Sequence, residues 1–484
     1  MGRRRRHSQV RETPRVVGFP VGASDPPRTG PRALVAETYV YDNRYRMVQQ
    51  TAMHTGKNVL VSRAYDYHPG GSLRSVDNPV DGAPGGPRDR LYGYDDMGRL
   101  TEATGPFGPE GQQSTITYGY DSIGNRRSTY KPWEASAFDY GYVRGSGGGD
   151  TPLLESVEET HYQSFDSGVV EWTHTTQTPH DDVGNLLGEG TVDQMAYSPR
   201  NDLLGLPNAQ SPRYLYDADG YRVMTRGHTG HHTSRIYHYP DGRPLVERTV
   251  VWYAGMPFIS TRSFVWIGER LVSTLEEDGS LRHVVSDHIA FPLLVYDPAT
   301  GEVLWEAEAA PFGEIVNVVQ GSTDGDPGLR YPGQWAEPPG DPGGLDLTYN
   351  VHRWYKAEWG RYTQGDPLLI TAGGNQFSYG INDPLRRTDS DGLFLNWLRC
   401  FWYKWRCASE GTECSAHWKC VLDEKGPEWE AGAYERAERI AGRKVSTRSD
   451  FLYVMCFRAN DACRKALEYC GKGVIKPPFN GRPG

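Results

Sequence analysis

Residues 394–484 hold all seven cysteines of the chain: Cys400, Cys407, Cys414, Cys420, Cys456, Cys463 and Cys470. In the run "CSAHWKC", Cys414, His417 and Cys420 stand at C-x2-H-x2-C, and His417 is the one histidine of this segment. A zinc site built there takes Cys407 or a distant Cys as its fourth ligand. Disulfides are the rival: the first three and the last three cysteines are each spaced by seven, which puts each trio on one face of a helix. Facing helices could then be stapled, with one thiol left over from the odd count. Buried free thiols are the third reading. Upstream, two aspartates, Asp366 and Asp389, stand near the end of the cysteine-free part of the chain. Two carboxylates held so close that both cannot ionise do acid–base work. By residue type alone, each also reads as a turn former.

The elements that must position these groups are of two kinds. In residues 394–484 the stretches "FLNWLRCFWYKWRC", "GPEWEAGAYERAERIAGR" and "SDFLYVMCFRANDACRKALEYCGKG" read as helices, the last capped by Ser449 or Asp450 and stopped by Gly471. The rest is rich in Gly, Pro and Tyr, the composition of short strands and tight turns. A unit of aromatic, Asp, two variable residues and Gly recurs there, as "YGYDDMGRL" (Tyr94, Asp95, Gly98), "YGYDSIGNR" (Tyr120, Asp121, Gly124) and "YLYDADGYR" (Tyr216, Asp217, Gly220). Weaker copies hold Tyr41 and Asp42, Asp181 and Gly184, and Tyr239 and Gly242. The Asp caps backbone N–H groups of the turn, the Gly takes positive φ, and alternating Tyr line one sheet face. One hairpin cannot bury that face, so the repeats stack into continuous sheet.

Charge divides the chain at the same place. Residues 394–484 carry 16 Lys/Arg against 11 Asp/Glu, net +5, and the remainder carries 36 against 50, net −14. A basic segment on an acidic carrier suits a nucleic-acid or phosphorylated target, and equally an ordinary basic surface. No apolar run reaches the ~18 residues of a transmembrane helix. The start "MGRRRRHSQVRETPRVVG" has no apolar h-region and is not an ordinary signal peptide. Residues 1–29 read as a disordered basic leader or as an arbitrary start within a longer parent chain. No paired-histidine nuclease motif, P-loop or Ser–His–Asp set is visible in residues 394–484, and no cofactor is expected.

The repeats resemble the YD repeats of the Rhs and teneurin families. The match is densest in residues 284–393, which resemble the Rhs-associated core. There Tyr331, Pro332, Gly333 and Gln334 are followed by Tyr349, Asn350, Arg353 and Tyr355, then by Gly360, Arg361, Tyr362, Asp366 and Pro367. Asn375, Tyr379, Asn382 and Pro384 come next, and Asp389, Gly392 and Leu393 close the motif. Three departures stand out: Asp389-Ser390-Asp391-Gly392-Leu393 lacks the usual proline, Gln376-Phe377-Ser378-Tyr379 replaces an L-Y-x-Y run, and Asp383 is an insertion in N-x-P.

The resemblance implies a mainly β fold, a spiral of hairpins forming a shell or part of one, followed by a small helical cysteine-rich domain. It divides the chain into a leader (1–29), a repeat segment (30–283), a core with a self-cleavage motif (284–393) and an effector or tip domain (394–484). It also implies aspartyl autoproteolysis of Leu393–Phe394 by Asp366 and Asp389, with Arg361 or Arg387 holding one carboxylate ionised and Asp391 as a substitute for Asp389. An immunity protein, a secretion-system or shell-completing partner, and release outside the cell or at its surface by a non-classical bacterial route follow from the same likeness. The shell segment is short for a closed cage, which predicts a truncated gene, a recombination orphan or a shell completed by a partner. The alternative function is a non-catalytic surface or adhesive protein, or the remnant of a larger one.

Overall fold

The computed structural model describes residues 15–17, 35–54, 59–78, 88–164, 167–190, 195–205, 213–227, 232–239, 242–321, 325–331, 334–336, 347–367, 375–390 and 392. The chain divides into two compact units, Met1–Gly392 and Leu393–Gly484. The second unit lies outside the described residues, and with it the expected helices, all seven cysteines, His417, Leu393 and Phe394.

The first unit is built from antiparallel strands, and no α-helix occurs among its described residues. Twelve strands from Arg15–Val17 to Val170–Gln177 pair in strict chain order, and twelve more from Ala196–Tyr197 to Ile315–Gly321 do the same. This second sheet passes through residue 284 without a break. A third sheet joins Trp335–Ala336, Thr348–Asn350, Arg353–Lys356 and Arg361–Tyr362.

Repeat chemistry explains the meanders. Asp95 Oδ1 accepts hydrogen bonds from the Met97 and Arg99 N–H groups at 3.0 and 2.9 Å. Asp121 accepts from Ile123 and Asn125 at 3.0 and 2.9 Å, and Asp217 accepts from Asp219 and Tyr221 at 2.9 Å each. These carboxylates are therefore consumed in closing turns. The glycine of the unit takes φ of +77° at Gly98, +84° at Gly124 and +91° at Gly220. Two other turns of this design place Tyr45 and Ala290 at the same left-handed position, after Asp42 and Asp287.

In two of the units the tyrosine before the aspartate ties its hairpin to an earlier one. Tyr120 Oη donates to the Leu100 carbonyl at 2.8 Å and Tyr216 Oη to the Leu203 carbonyl at 2.7 Å. The residue five past the Asp is buried: Leu100, Arg126, Leu186 and Arg222. Arg126 lies over the rings of Phe312 and Tyr118, and Arg222 over Tyr349, Trp354 and Tyr214, so the cations are sheathed in aromatic faces.

One core cluster gathers Phe138, Tyr142 and Leu154 of the first sheet, Tyr214, Phe264 and Trp305 of the second, and Trp335, Tyr349 and Trp354 of the third. The repeat turns grip the residues that follow. The Leu186 N–H donates to the Thr363 carbonyl at 2.9 Å, Asn375 Nδ2 to Asn125 Oδ1 at 2.9 Å, and Asn382 Nδ2 to the Gly124 carbonyl at 2.9 Å. Thr363, just past the third sheet, is thus held by the Asp181 turn that follows the first meander, and Asn375 and Asn382 by the Asp121 turn within it.

Candidate active site

The third sheet supplies the floor of the site. Asn350 and Arg353 are Cα partners across a two-residue hairpin loop of Val351 and His352. Val351 has φ +52°, a conformation that costs a β-branched residue free energy and holds the two flanking side chains at a fixed angle. Beyond the strand Arg361–Tyr362, the chain reaches Asp366, whose N–H donates to the Gln376 carbonyl at 3.2 Å.

Asp389 arrives differently from the sequence expectation. The stretch "GINDPLRRT" reads as strand-like in the sequence, but it forms a 3-10 turn at Gly380–Asn382 with Ile381 and Asn382 at φ +54° and +59°. The Asp383 carbonyl then accepts from the Arg387 N–H at 3.0 Å. Two left-handed residues followed by Asp-Pro cannot sustain a strand.

Both aspartates meet Arg353. Its Nη2 lies 3.0 Å from Asp366 Oδ2 and 2.8 Å from Asp389 Oδ2. Asp366 is 1% exposed, Asp389 3% and Arg353 1%. The other guanidinium nitrogens are also engaged: Nη1 donates to the Gln376 carbonyl at 2.9 Å, and Nε to the Gly392 carbonyl at 2.6 Å. One cation therefore joins both carboxylates and the backbone immediately before Leu393. Burial without such a counter-charge would cost several kcal/mol, on the order of 3–5 for a broken buried pair.

Asp389 is further fixed by neighbours. Tyr362 Oη donates to its Oδ2 at 2.7 Å, and Asn350 Nδ2 donates to the Tyr362 hydroxyl at 2.7 Å and to the Asp389 carbonyl at 2.8 Å. Burial, and then the charge of Asp389, push the Tyr362 phenol well above its ordinary pKa, so it remains a proton donor. Tyr379 is shifted the same way by the same two causes, and its ring packs among Tyr331, Tyr355 and Tyr362. Gly392 is a steric requirement: its φ is +71°, and a Cβ there would lie 2.4 Å from the Asn350 carbonyl oxygen.

Of the residues singled out by sequence, Asp366 and Asp389 are brought together. Arg361 is not with them: it donates to the Tyr142 hydroxyl at 3.0 Å and the Pro152 carbonyl at 2.6 Å, clamping the third sheet to the first meander. The charge of Arg387 acts on Asp383. Asp391, Leu393, Phe394 and the Cys414–His417–Cys420 set lie outside the described residues. The arginine that serves both carboxylates is Arg353. Its place in the landmark run "NVHRWY" was the available signal, along with that of Asn350 and Tyr362. Among the described residues no group of three or more His, Cys, Asp or Glu is arranged to hold a metal.

No family model matches the sequence. Curated proteins do. The chain is 24% identical over 364 residues to double-stranded DNA deaminase toxin A of Burkholderia cenocepacia (strain H111), covering 66% of this chain and 23% of that one. It is 23% identical over 408 residues to toxin subunit YenC2 of Yersinia entomophaga, covering 71% and 38%. The fold matches the crystal structure of TcdB2–TccC3 with a TM-score of 0.53 at 18% identity, over 74% of this chain and 19% of that one. A Photorhabdus luminescens Tc holotoxin pore carrying a mutated TccC3 matches with a TM-score of 0.53 at 17% identity, over 74% and 18%. The likeness is thus to proteins named as toxins and, in fold, to the TccC3 structures. The two sequential meanders share their fold with those TccC3 structures, and the chain spans under two fifths of the length of the curated relatives it matches. Among the described residues no helix is long and apolar enough to cross a membrane.

Proposed function

We propose that this chain is an Rhs-type carrier that cuts itself after Leu393 and frees residues 394–484 as a toxin-like effector. The observation that carries this reading is the meeting of Asp366 and Asp389 on one nitrogen of a buried arginine whose Nε also holds the Gly392 carbonyl. In an aspartyl mechanism one carboxyl protonates the Leu393 carbonyl oxygen, while the other, as carboxylate, takes a proton from the attacking water. The tetrahedral diol collapses, the C–N bond breaks, and the departing Phe394 nitrogen receives a proton. The products are a Leu393 carboxylate and a Phe394 amine. The substrate is part of the same chain, so high effective concentration offsets modest chemical power.

Relatives named as toxins support the effector reading, and the +5 charge of residues 394–484 suits an anionic target. A toxin carried in this way requires a neutralising immunity protein in the producing cell, export by a dedicated system, and a partner or further shell segment around the effector. Intact mass of the purified chain beside Asp366→Asn and Asp389→Asn tests the proposal. Wild type should yield two fragments and both variants one uncut chain. Equal cutting in all three would sink it.

A further inference from the structure

The hairpin Pro244–Tyr253 and Met256–Ile267 ends in a ribbon that nothing covers among the described residues. All ten residues 251–260 are exposed, on both faces. Tyr253 is 72% exposed, Met256 60%, Phe258 57% and Trp252 47%, with Val251 and Ile259 also above 40%. From Thr249 to Thr261 the sequence "TVVWYAGMPFIST" has no charged residue. Soluble surfaces rarely present contiguous apolar area of this kind. A one-sided apolar face would indicate packing on another sheet; an apolar surface all round suits immersion.

Charge marks the depth. Arg248, just outside the uncharged run, pairs across the ladder with Arg235 on the adjacent strand, and both are exposed. Like charges directly opposite one another are destabilising. Neither arginine forms an ion pair with a carboxylate among the described residues. At ~3.3 Å per residue they stand on the order of 13–17 Å below Trp252 and Tyr253. This is the order found at a bilayer surface: aromatic tips at the acyl boundary and basic groups among the phosphates. The ladder Val246–Tyr253 with Met256–Ser263 is complete, so only the outer edges need polar partners, which the headgroup layer supplies. Pro257 removes one donor from that edge.

We infer that the 249–261 hairpin tip is a membrane-docking element that inserts Trp252, Tyr253 and Phe258 into the interface of an anionic bilayer, with Arg235 and Arg248 on lipid phosphates. This is independent of the self-cleavage proposal. The test is flotation of the full chain with vesicles of phosphatidylcholine, with and without phosphatidylglycerol. Three forms are compared: wild type, W252S/Y253S/F258S, and R235Q/R248Q. The aromatic variant should lower the vesicle-bound fraction about tenfold or more on both membranes. The arginine variant should lower it only on phosphatidylglycerol vesicles. Far-UV dichroism and melting close to wild type would show that the variants fold. No flotation of wild type, or flotation unchanged in the aromatic variant, overturns the inference. So does a concentration-dependent dimer of wild type that the aromatic variant abolishes, which would assign the tip to a protein interface.

Discussion

The hydroxyl of Tyr362 donates a 2.7 Å hydrogen bond to Asp389 in a site closed to solvent. Its phenol is held protonated by burial and by the carboxylate it serves. Tyr362→Phe removes this donor and leaves Asn350 Nδ2 without its hydroxyl acceptor. The expected cost is about 1–3 kcal/mol of stability, with self-cleavage slowed about tenfold or more. Denaturant melts and the rate of fragment appearance measure the two effects.

Arg353 is the counter-charge shared by two buried acids, which makes its loss more damaging than that of either acid. Arg353→Met should destabilise the unit by about 3–5 kcal/mol, and Asp366→Asn/Asp389→Asn/Arg353→Met should recover part of that. Equilibrium urea unfolding of wild type, Asp366→Asn/Asp389→Asn, Arg353→Met and the triple variant checks this. Additive losses would contradict the shared ion pair.

Gly392→Ala places a methyl group against the Asn350 carbonyl at a backbone angle that L residues avoid. Displacement of the Gly392 carbonyl from Arg353 should follow. Cleavage should fall while the two meanders melt near the wild-type temperature, as mass spectrometry and dichroism would report.

Val351 is strained at φ +52° between Asn350 and Arg353. Val351→Gly relieves that strain and should raise stability by about 1 kcal/mol. The same change loosens the two flanking side chains, so cleavage should slow even as the melting temperature rises.

Asp383 gives the site region a pH dependence. Burial pushes its carboxyl up from 3.8 to about 6, against the Ser72 hydroxyl and the charges of Arg387 and Arg386, which pull it down. The folded state therefore holds this proton more tightly than the unfolded state. The stabilisation is fully present below the unfolded value of 3.8 and is lost as pH rises through about 6. The loss amounts to at most about 3 kcal/mol. Asp383→Asn should thus match wild type near pH 4 and exceed it near pH 7, in urea melts at both.

The fold was legible because its repeat is chemically explicit. An Asp that accepts two backbone N–H groups and a Gly at positive φ specify a hairpin, and Tyr at period two specifies its buried face. Tyr45 and Ala290 show the limit: the turn forms without Gly once Asp supplies its hydrogen bonds. The two aspartates of the site were legible as ordered landmarks. Arg353 was not assigned its role, because Arg361 lies nearer Asp366 in sequence. Only the cross-strand pairing of Asn350 with Arg353 brings the latter under both acids. The path of residues 380–389 was not legible, because consecutive left-handed residues at Ile381 and Asn382 leave no periodic signal.

The central claim is tested most directly by sequencing the N terminus of the smaller fragment released by purified wild-type chain. A fragment beginning Phe394-Leu395-Asn396, and absent from Asp389→Asn, is the predicted result. A chain that stays whole, or a fragment that begins elsewhere, contradicts it.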